Sequence, residues 1–304
     1  MTAHADEALR ERPTWLAEEA RAALLINPAS GGVLESHADV LPARLAAFGV
    51  KETQIFGVED LDALIENRGA FDLIIVFGGD GTARAAAAAM PSDAPPMLLL
   101  PGGTLNVLPK TLLGDLSWAD ALEAAFARGE VTRLVGGTAN GEAFFIAAMF
   151  GAPTLLARAR EAVREGRWAR AVKRARLFFR RAFFRRVAGK PDGLKTRRAE
   201  AIGILCPSFS GKIEGDALEW VHFNARNMLE FMRVGFHALD EGWRSDPAIE
   251  ICACARGVVS GPRLIPAILD GEPKSFSGPV RIQIQPRGPC VIALPGQLER
   301  AQTA

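Results

Sequence analysis

The sequence predicts an α/β N-terminal domain with a parallel sheet, followed by a second, mainly antiparallel β domain with a helical insertion. Two observations carry this prediction. Residues 22–133 alternate short apolar runs with helical runs, which is typical of a parallel sheet covered on both faces. After residue 133, strand-like runs follow one another, which is typical of an antiparallel sandwich or barrel. The 304 residues are enough for two such domains.

The elements of the first domain succeed one another as strand and helix. The predicted strands are AALLINP, TQIFGV, DLIIVF and MLLLP, and the predicted helices are ADVLPARLAAFG, EDLDALIENRG, ARAAAAAM and SWADALEAAFARG. Ser117 and Asp120 form a capping-box signal at the start of the last helix. Residues 1–21 form a charged N-terminal extension without an apolar core, so we expect neither a signal peptide nor an anchor there, and a cytoplasmic protein.

The second domain, residues 134–304, opens with a hairpin signal at Asn140-Gly141. Further strands are predicted at residues 201–206, 218–224, 228–234, 249–255, 263–269, 279–286 and 290–294. A basic helical insertion of about residues 154–198 interrupts them, with helical periodicity over 154–187. The sequence leaves open whether the last strand returns to the first domain.

Glycine-rich corners follow two strands of the first domain. LIIVF runs into Gly78-Gly79-Asp80-Gly81-Thr82 before an alanine-rich helix, and MLLLP runs into Gly102-Gly103-Thr104. A strand that ends in glycines and opens a helix presents backbone N–H groups and the positive end of the helix dipole, which favours an anion. Asp80 requires a metal or a proton-transfer role at a phosphate site, unless it only caps a tight turn. A third corner, NPASGG at residues 27–32, ends the first strand and taken singly reads equally well as an ordinary turn.

These corners, together with LDGEP at residues 269–273, resemble the catalytic domain of diacylglycerol kinases, sphingosine and ceramide kinases and their bacterial lipid kinase relatives. The resemblance implies an NAD kinase/diacylglycerol kinase-like fold and Mg²⁺-dependent transfer of the ATP γ-phosphoryl group to a lipid hydroxyl. It implies nucleotide and metal binding by Asn27, Ser30, Gly78, Gly79, Asp80, Gly81, Thr82, Gly102, Gly103, Thr104 and Asn106.

The resemblance also implies acidic catalytic residues. Asp270 is the preferred base for the lipid hydroxyl, and Glu272 supports it or the Mg²⁺. Asp80 could take the role of the base instead, and LDGEP alone reads equally well as an Asp-Gly hairpin turn. A structural Mg²⁺ segment of the family matches partly at Glu214 and Asp216.

The sequence departs from the family pattern at two places near the expected site. The glycine loop usually continues with a Glu and an Asn-Gly, where this chain has Ala85, Ala88 and Ala89. The family's Gly-Phe-Asp substrate loop reads Gly151-Ala152-Pro153 here. These changes leave the acceptor lipid open and allow a non-catalytic lipid-binding or regulatory member of the fold. NAD kinase is a third alternative, disfavoured because PGGTLN and LDGEP match the lipid branch.

Basic residues concentrate in one segment. The chain has a net charge of +1, but the segment from Arg158 to Arg198 holds 16 of the 36 basic residues and three of the 35 acidic ones. Trp168, Val172, Ala175, Phe179 and Phe183 recur at helical spacing among these arginines, which is typical of a helix lying on an anionic membrane. We therefore expect a peripheral protein at the inner face of the cytoplasmic membrane, acting in lipid metabolism. The apolar residues could instead cover the domain's own core; nucleic-acid binding is not expected, and the sequence leaves a homodimer open.

Overall fold

The computed structural model describes residues 13–151, 186–210, 217–224 and 244–297. They form two compact units. Of the described residues, the first unit contains those up to Leu134 and those from Arg287 to Gln297, and the second contains those between Val135 and Pro286. The α/β domain and the antiparallel β domain predicted from the sequence are both present.

The first unit is a six-stranded sheet covered by helices, in the order β2-β1-β3-β4-β18-β5. Its strands are β1 (Arg21–Ile26), β2 (Glu52–Gly57), β3 (Leu73–Gly78), β4 (Met97–Pro101), β5 (Glu130–Arg133) and β18 (Cys290–Ala293). Strands β1 to β4 are parallel, and β18 is parallel to β4 and antiparallel to β5. The last strand therefore does return to the first sheet. All six residues of β3 are buried, as expected for a central parallel strand covered on both faces.

The helices of the first unit are α1 (His37–Ala47), α2 (Leu61–Glu66), α3 (Asp80–Ala89), α4 (Val107–Leu113) and α5 (Trp118–Arg128). The capping signal before α5 is confirmed, since the Asp120 N–H donates to Ser117 Oγ at 3.2 Å. Helix α3 begins immediately after the glycines that end β3. No helix within the described residues is both long and apolar enough to cross a lipid bilayer.

The second unit consists of two antiparallel six-stranded sheets, ordered β10-β9-β14-β17-β6-β7 and β13-β12-β11-β8-β15-β16. Its strands are β6 (Gly136–Ala139), β7 (Glu142–Phe144), β8 (Ala147–Gly151), β9 (Val187–Pro191), β10 (Arg197–Ala199), β11 (Ala201–Leu205), β12 (Leu218–Phe223), β13 (Ile249–Cys254), β14 (Arg256–Ser260), β15 (Leu264–Leu269), β16 (Glu272–Ser277) and β17 (Val280–Gln285). A short helix, α6 (Pro207–Ser210), follows β11. The largest buried side chains of its core are Trp220, Phe144 and Phe150.

The Asn140-Gly141 hairpin joins β6 to β7, and both turn residues have positive φ angles, 51° and 89°. Positive φ at both central positions defines the two-residue turn that Asn-Gly favours. The last part of the insertion is a correction to the sequence prediction, because residues 187–191 and 197–199 form a β-hairpin rather than a helix. Burial alternates along Val187–Pro191, and Asp192-Gly193 supplies the turn. Residues 152–185, the predicted strand at 228–234, and Glu214 and Asp216 lie outside the described residues.

Candidate nucleotide-binding site

Three polar corners meet at one edge of the first sheet. They follow the carboxyl ends of β1, β3 and β4, which are neighbours and run parallel, so their carboxyl ends lie together. The corners contain Asn27 and Ser30, the Gly78–Thr82 loop, and Gly102–Thr104 with Asn106. The structure thus places the three corners that contain the predicted nucleotide-site residues at one edge of the sheet.

Side-chain hydrogen bonds tie the first corner to the second. Asn27 Nδ2 donates to Thr82 Oγ1 at 2.7 Å, and the Gly79 N–H donates to Ser30 Oγ at 3.0 Å. The Gly32 N–H donates to the Gly102 carbonyl at 2.9 Å, which joins the first corner to the third. The three corners are therefore held as one unit before any ligand binds.

Glycine is required where these corners touch. A Cβ on Gly103, in the third corner, would lie 2.6 Å from the Cα of Gly79 in the second corner. A Cβ on Gly102 would lie 3.0 Å from the backbone nitrogen of Gly78. Backbone atoms cannot move aside as the end of a flexible side chain can, so larger residues would push the corners apart.

A cavity of about 420 Å³ opens at the first two corners. Its wall contains Leu25, Asn27, Ser30, Val58, Leu61, Gly79, Gly81, Thr82 and Ala85. Gly81 and Thr82 lie in the first turn of α3, where backbone N–H groups have no acceptor within the helix. One end of the cavity is thus suited to phosphate oxygens, and Leu25, Val58 and Leu61 give it an apolar side.

Sequence analysis missed Val58 and Leu61. They follow β2, and the rule that ligands bind beyond the carboxyl ends of parallel strands could have identified them. Conversely, the described wall does not include four residues that the sequence assigned to the nucleotide site, namely Gly102, Gly103, Thr104 and Asn106. Thr104 is exposed. Gly102 and Gly103 lie against Gly78 and Gly79, and Asn106 is hydrogen-bonded to Gly103.

Asn106 shapes the third corner. It is 8% exposed and has a φ of 53°. Its Oδ1 accepts from the Gly103 N–H at 2.6 Å, and its Nδ2 donates to the Gly103 carbonyl at 2.8 Å. Both bonds hold the same residue, so Asn106 positions the loop rather than facing the cavity.

Asp80 starts α3 and points its carboxylate at the next helix. Its Oδ1 accepts from the Leu108 N–H at 3.1 Å, at the beginning of α4. Burial raises the pKa of the Asp80 carboxyl, while hydrogen bonds from the N–H groups of Leu108, Val107 and Asn106 and the charge of Lys110 act to lower it. The side chain therefore joins the second corner to the third in addition to any role with phosphate or metal.

Asp270 lies in the second unit, in the two-residue turn between β15 and β16. Its φ is 47° and that of Gly271 is 87°, as an Asp-Gly hairpin turn requires. The carboxylate is 8% exposed. Its Oδ2 accepts from the Phe145 N–H at 2.7 Å, and its Oδ1 accepts from the N–H groups of Ile146 and Ala147 at 2.8 and 3.0 Å. These bonds fix both carboxylate oxygens in place.

Two other groups adjoin Asp270. Glu272 follows the turn at the start of β16 and is half-buried. Burial, and secondarily the charge of Asp270, raise the pKa of the Cys206 thiol well above its ordinary value. Cys206 therefore stays a neutral thiol, and it lies 3.5 Å from the Phe144 carbonyl.

The number of acidic side chains near the three corners limits how a metal ion could be bound there. Within the described residues no three Asp, Glu, His or Cys side chains lie together as metal ligands. Asp80 is the single carboxylate among the residues predicted to form the three corners. Mg²⁺ in kinases is held by one or two carboxylates together with phosphate oxygens and water. This donor set would fit Mg²⁺ held jointly by Asp80 and the phosphates of a nucleotide.

Comparison with known protein families identifies the family to which the first domain is similar. Residues 21–139 match the family model of the diacylglycerol kinase catalytic domain. This domain is of the diacylglycerol kinase catalytic type. The match begins at β1 and includes all three corners of the diacylglycerol kinase-type domain. No protein of curated function matches the chain.

Solved structures extend the likeness to the fold of the whole chain. A diacylglycerol kinase from Bacillus anthracis str. Sterne is 19% identical, with 91% of this chain and 98% of that chain covered and a TM-score of 0.66. A second structure from that organism, provisionally named a diacylglycerol kinase, is 18% identical, with coverages of 91% and 96% and a TM-score of 0.68. An NAD kinase from Archaeoglobus fulgidus in complex with ATP is 13% identical, with coverages of 92% and 96% and a TM-score of 0.50. At these identities the likeness shows that this chain shares their fold.

Proposed function

We propose that the protein is a Mg·ATP-dependent lipid kinase that phosphorylates the hydroxyl of a membrane lipid, such as diacylglycerol or a sphingoid or ceramide-type lipid. One observation supports this proposal above all. The three polar corners are joined to one another at the first turn of α3, in a domain of the diacylglycerol kinase catalytic type. Phosphoryl transfer depends mainly on positioning and on neutralising phosphate charge, which such a corner supplies.

ATP is the proposed donor. Its phosphates would lie against Gly79, Gly81 and Thr82, and its nucleoside against the apolar side of the cavity. The related fold of an NAD kinase that binds ATP supports this choice. Mg²⁺ would neutralise the triphosphate charge.

In the proposed reaction the lipid hydroxyl oxygen forms a bond to the γ-phosphorus. The bond between the γ-phosphorus and the oxygen that bridges it to the β-phosphate breaks, and ADP leaves. The hydroxyl proton goes to Asp270. Three hydrogen bonds from backbone N–H groups fix the orientation of that carboxylate. Asp80, already bonded to α4, is the alternative base.

The acceptor lies in a bilayer, so the protein is also proposed to bind an anionic membrane through the segment from Arg158 to Arg198. Most of that segment lies outside the described residues. Its described end contributes the exposed Lys190, Lys195, Arg197 and Arg198. Such residues attract anionic lipid headgroups.

A non-catalytic lipid-binding protein is the second candidate, and one observation favours it. Ala85 lies in the wall of the cavity, where the family pattern has a Glu. Ala85→Glu tests whether that acid is missing. In a kinase limited by metal binding, the substitution should raise turnover severalfold at low Mg²⁺. Ala88→Glu, an exposed position on the same helix outside the described wall, is the matched control.

The primary experiment is incubation with γ-labelled ATP, Mg²⁺ and a lipid extract in mixed micelles, followed by separation of the labelled lipids. We expect one labelled lipid class, which is lost in Asp270→Asn. If ATP binds but neither the natural protein nor Ala85→Glu labels any lipid, the kinase proposal fails and the non-catalytic one replaces it.

A further inference from the structure

One face of the sheet β10-β9-β14-β17-β6-β7 is packed in the core of the second unit and the other is exposed. Burial alternates along β9, β14 and β17, with Val187, Val259 and Ile282 pointing inward. The outward positions on four neighbouring strands carry exposed cations: Arg198 on β10, Lys190 on β9, Arg256 on β14 and Arg281 on β17.

Strand register places these cations in adjacent rows. Val258 pairs with Lys190 on one side and with Arg281 on the other. Since neighbouring strands lie about 4.8 Å apart, the two cations flank Val258 at about 10 Å from each other. Arg256 pairs with Gln283 in the next row. A shallow groove of about 690 Å³ runs past Val258, Arg256 and Arg281, and Lys190 lies outside its lining.

The positive charge on this face is largely unneutralised. Among the described residues that line the groove, Asp192 is the single carboxylate. It lies 3.7 Å from Arg256, and both side chains are more than 60% exposed, so the pair is weak. Lys190, Arg198 and Arg281 have no carboxylate of the described residues within ion-pair distance.

We propose that this basic sheet face, defined by Lys190, Arg198, Arg256 and Arg281, docks on the anionic headgroups of a lipid bilayer. The proposal rests on the lipid kinase function, which requires the protein to reach a bilayer. It assigns docking to residues of the folded β domain, two of which lie outside the basic insertion. The face is broad and shallow, which suits a lipid surface better than a single small anion.

Two features favour a bilayer over other partners. Leu194, in the β9–β10 turn at the edge of this face, is 46% exposed beside Lys195. An apolar side chain flanked by lysine is suited to the boundary between headgroups and acyl chains. A twofold dimer through the same face would place arginines against arginines, because a twofold contact uses the same patch on both copies.

Vesicle sedimentation without nucleotide tests the proposal on the full-length protein. The vesicles are pure phosphatidylcholine or phosphatidylcholine with 30% phosphatidylglycerol. Because each cation near an anionic surface contributes about a fivefold factor, Lys190→Gln/Arg281→Gln should lower partitioning onto the anionic vesicles about 25-fold. The control Lys51→Gln/Arg128→Gln removes the same charge from exposed positions of the first unit and should change it less than twofold. Asp192→Asn should raise partitioning about fivefold, an increase that misfolding would not produce.

Three outcomes overturn the proposal: no binding of the natural protein to anionic vesicles, equal losses in the test and control variants, or no gain in Asp192→Asn. The proposal is also overturned if Lys190→Gln/Arg281→Gln loses binding of inorganic phosphate or of a DNA duplex while its binding to vesicles is unaffected. The measurement needs no catalysis. Absence of labelled lipid in detergent micelles would therefore refute the kinase function while leaving this result intact.

Discussion

The carboxylate of Asp80 accepts a 3.1 Å hydrogen bond from the backbone N–H of Leu108. Asp80 begins α3 and Leu108 lies in the first turn of α4, so one side chain joins the starts of two helices that follow neighbouring strands. The bond fixes the distance between the second and third glycine corners. The carboxylate proposed to serve phosphate and metal thus also supports the loops around it.

Separating these two roles of Asp80 requires two substitutions. Asp80→Ala removes the acceptor from the start of α4 and should lower the free energy of unfolding by about 1 kcal/mol. Asp80→Asn keeps an acceptor oxygen and should unfold within about 0.5 kcal/mol of the natural protein. Both should lose lipid phosphorylation if the charge acts on Mg²⁺ and phosphate. Urea unfolding and labelled-lipid assays measure the two effects, and full activity of Asp80→Asn would leave Asp80 a positioning residue only.

Gly103→Ala should damage the nucleotide site. Its Cβ would lie 2.6 Å from the Gly79 Cα, so the corners must separate, at a cost of about 1–3 kcal/mol. We expect ATP affinity to fall at least tenfold in calorimetric titration. Gly31→Ala is the control, because it lies in the first corner with nothing within 4 Å of its Cβ position. Equal affinities for the two variants would show that close backbone contact is not needed.

Asp270→Asn should lower turnover by two orders of magnitude or more while ATP still binds. The amide presents a donor to a site that receives three backbone N–H groups, so we also expect a loss of about 1–3 kcal/mol in unfolding free energy. Gly271→Ala strains the same turn at a φ of 87° but keeps the carboxylate. If lower stability alone explained the loss of turnover in Asp270→Asn, then Gly271→Ala would also lose turnover, in proportion to its own loss of stability.

His222 should make the protein less stable in mild acid. Its side chain is 1% exposed, its Nε2 has no partner among the described residues, and its ring packs against Gly189. Burial, and secondarily the charge of Arg197, lower the pKa of His222. The unfolded chain therefore takes up a proton first, and stability falls as pH drops below about 6.5 until the folded-state pKa is reached.

His222→Leu removes this proton uptake. Between pH 7 and pH 5 its stability should change less than that of the natural protein, whose slope from this group is at most about 1.4 kcal/mol per pH unit. Thermal unfolding at stepped pH measures the difference. Parallel curves for the two proteins would contradict the assignment.

Local signals in the sequence identified most of the fold. These signals depend on residues that are close in the chain, so they can be recognised without tertiary structure. They are the periodicity of apolar residues in strands and helices, the Ser117 cap and the Asn140-Gly141 turn. The same reasoning failed for residues 187–199. Many arginines precede them, and β9 pairs not only with the nearby β10 but also with β14, more than 60 residues later.

By itself the sequence determined that three polar corners follow parallel strands, because the order of apolar runs and glycines sets where each strand ends. It could not determine what each corner residue faces. Tertiary structure directs Asp80 to α4 and adds Val58 and Leu61 to the cavity wall. It also surrounds Asp270 with the N–H groups of a segment about 125 residues away and assembles the basic sheet face from strands far apart in the chain. Hydrogen-bond direction and strand register depend on how distant segments pack. The periodicity of apolar residues along the chain contains no information about either of them.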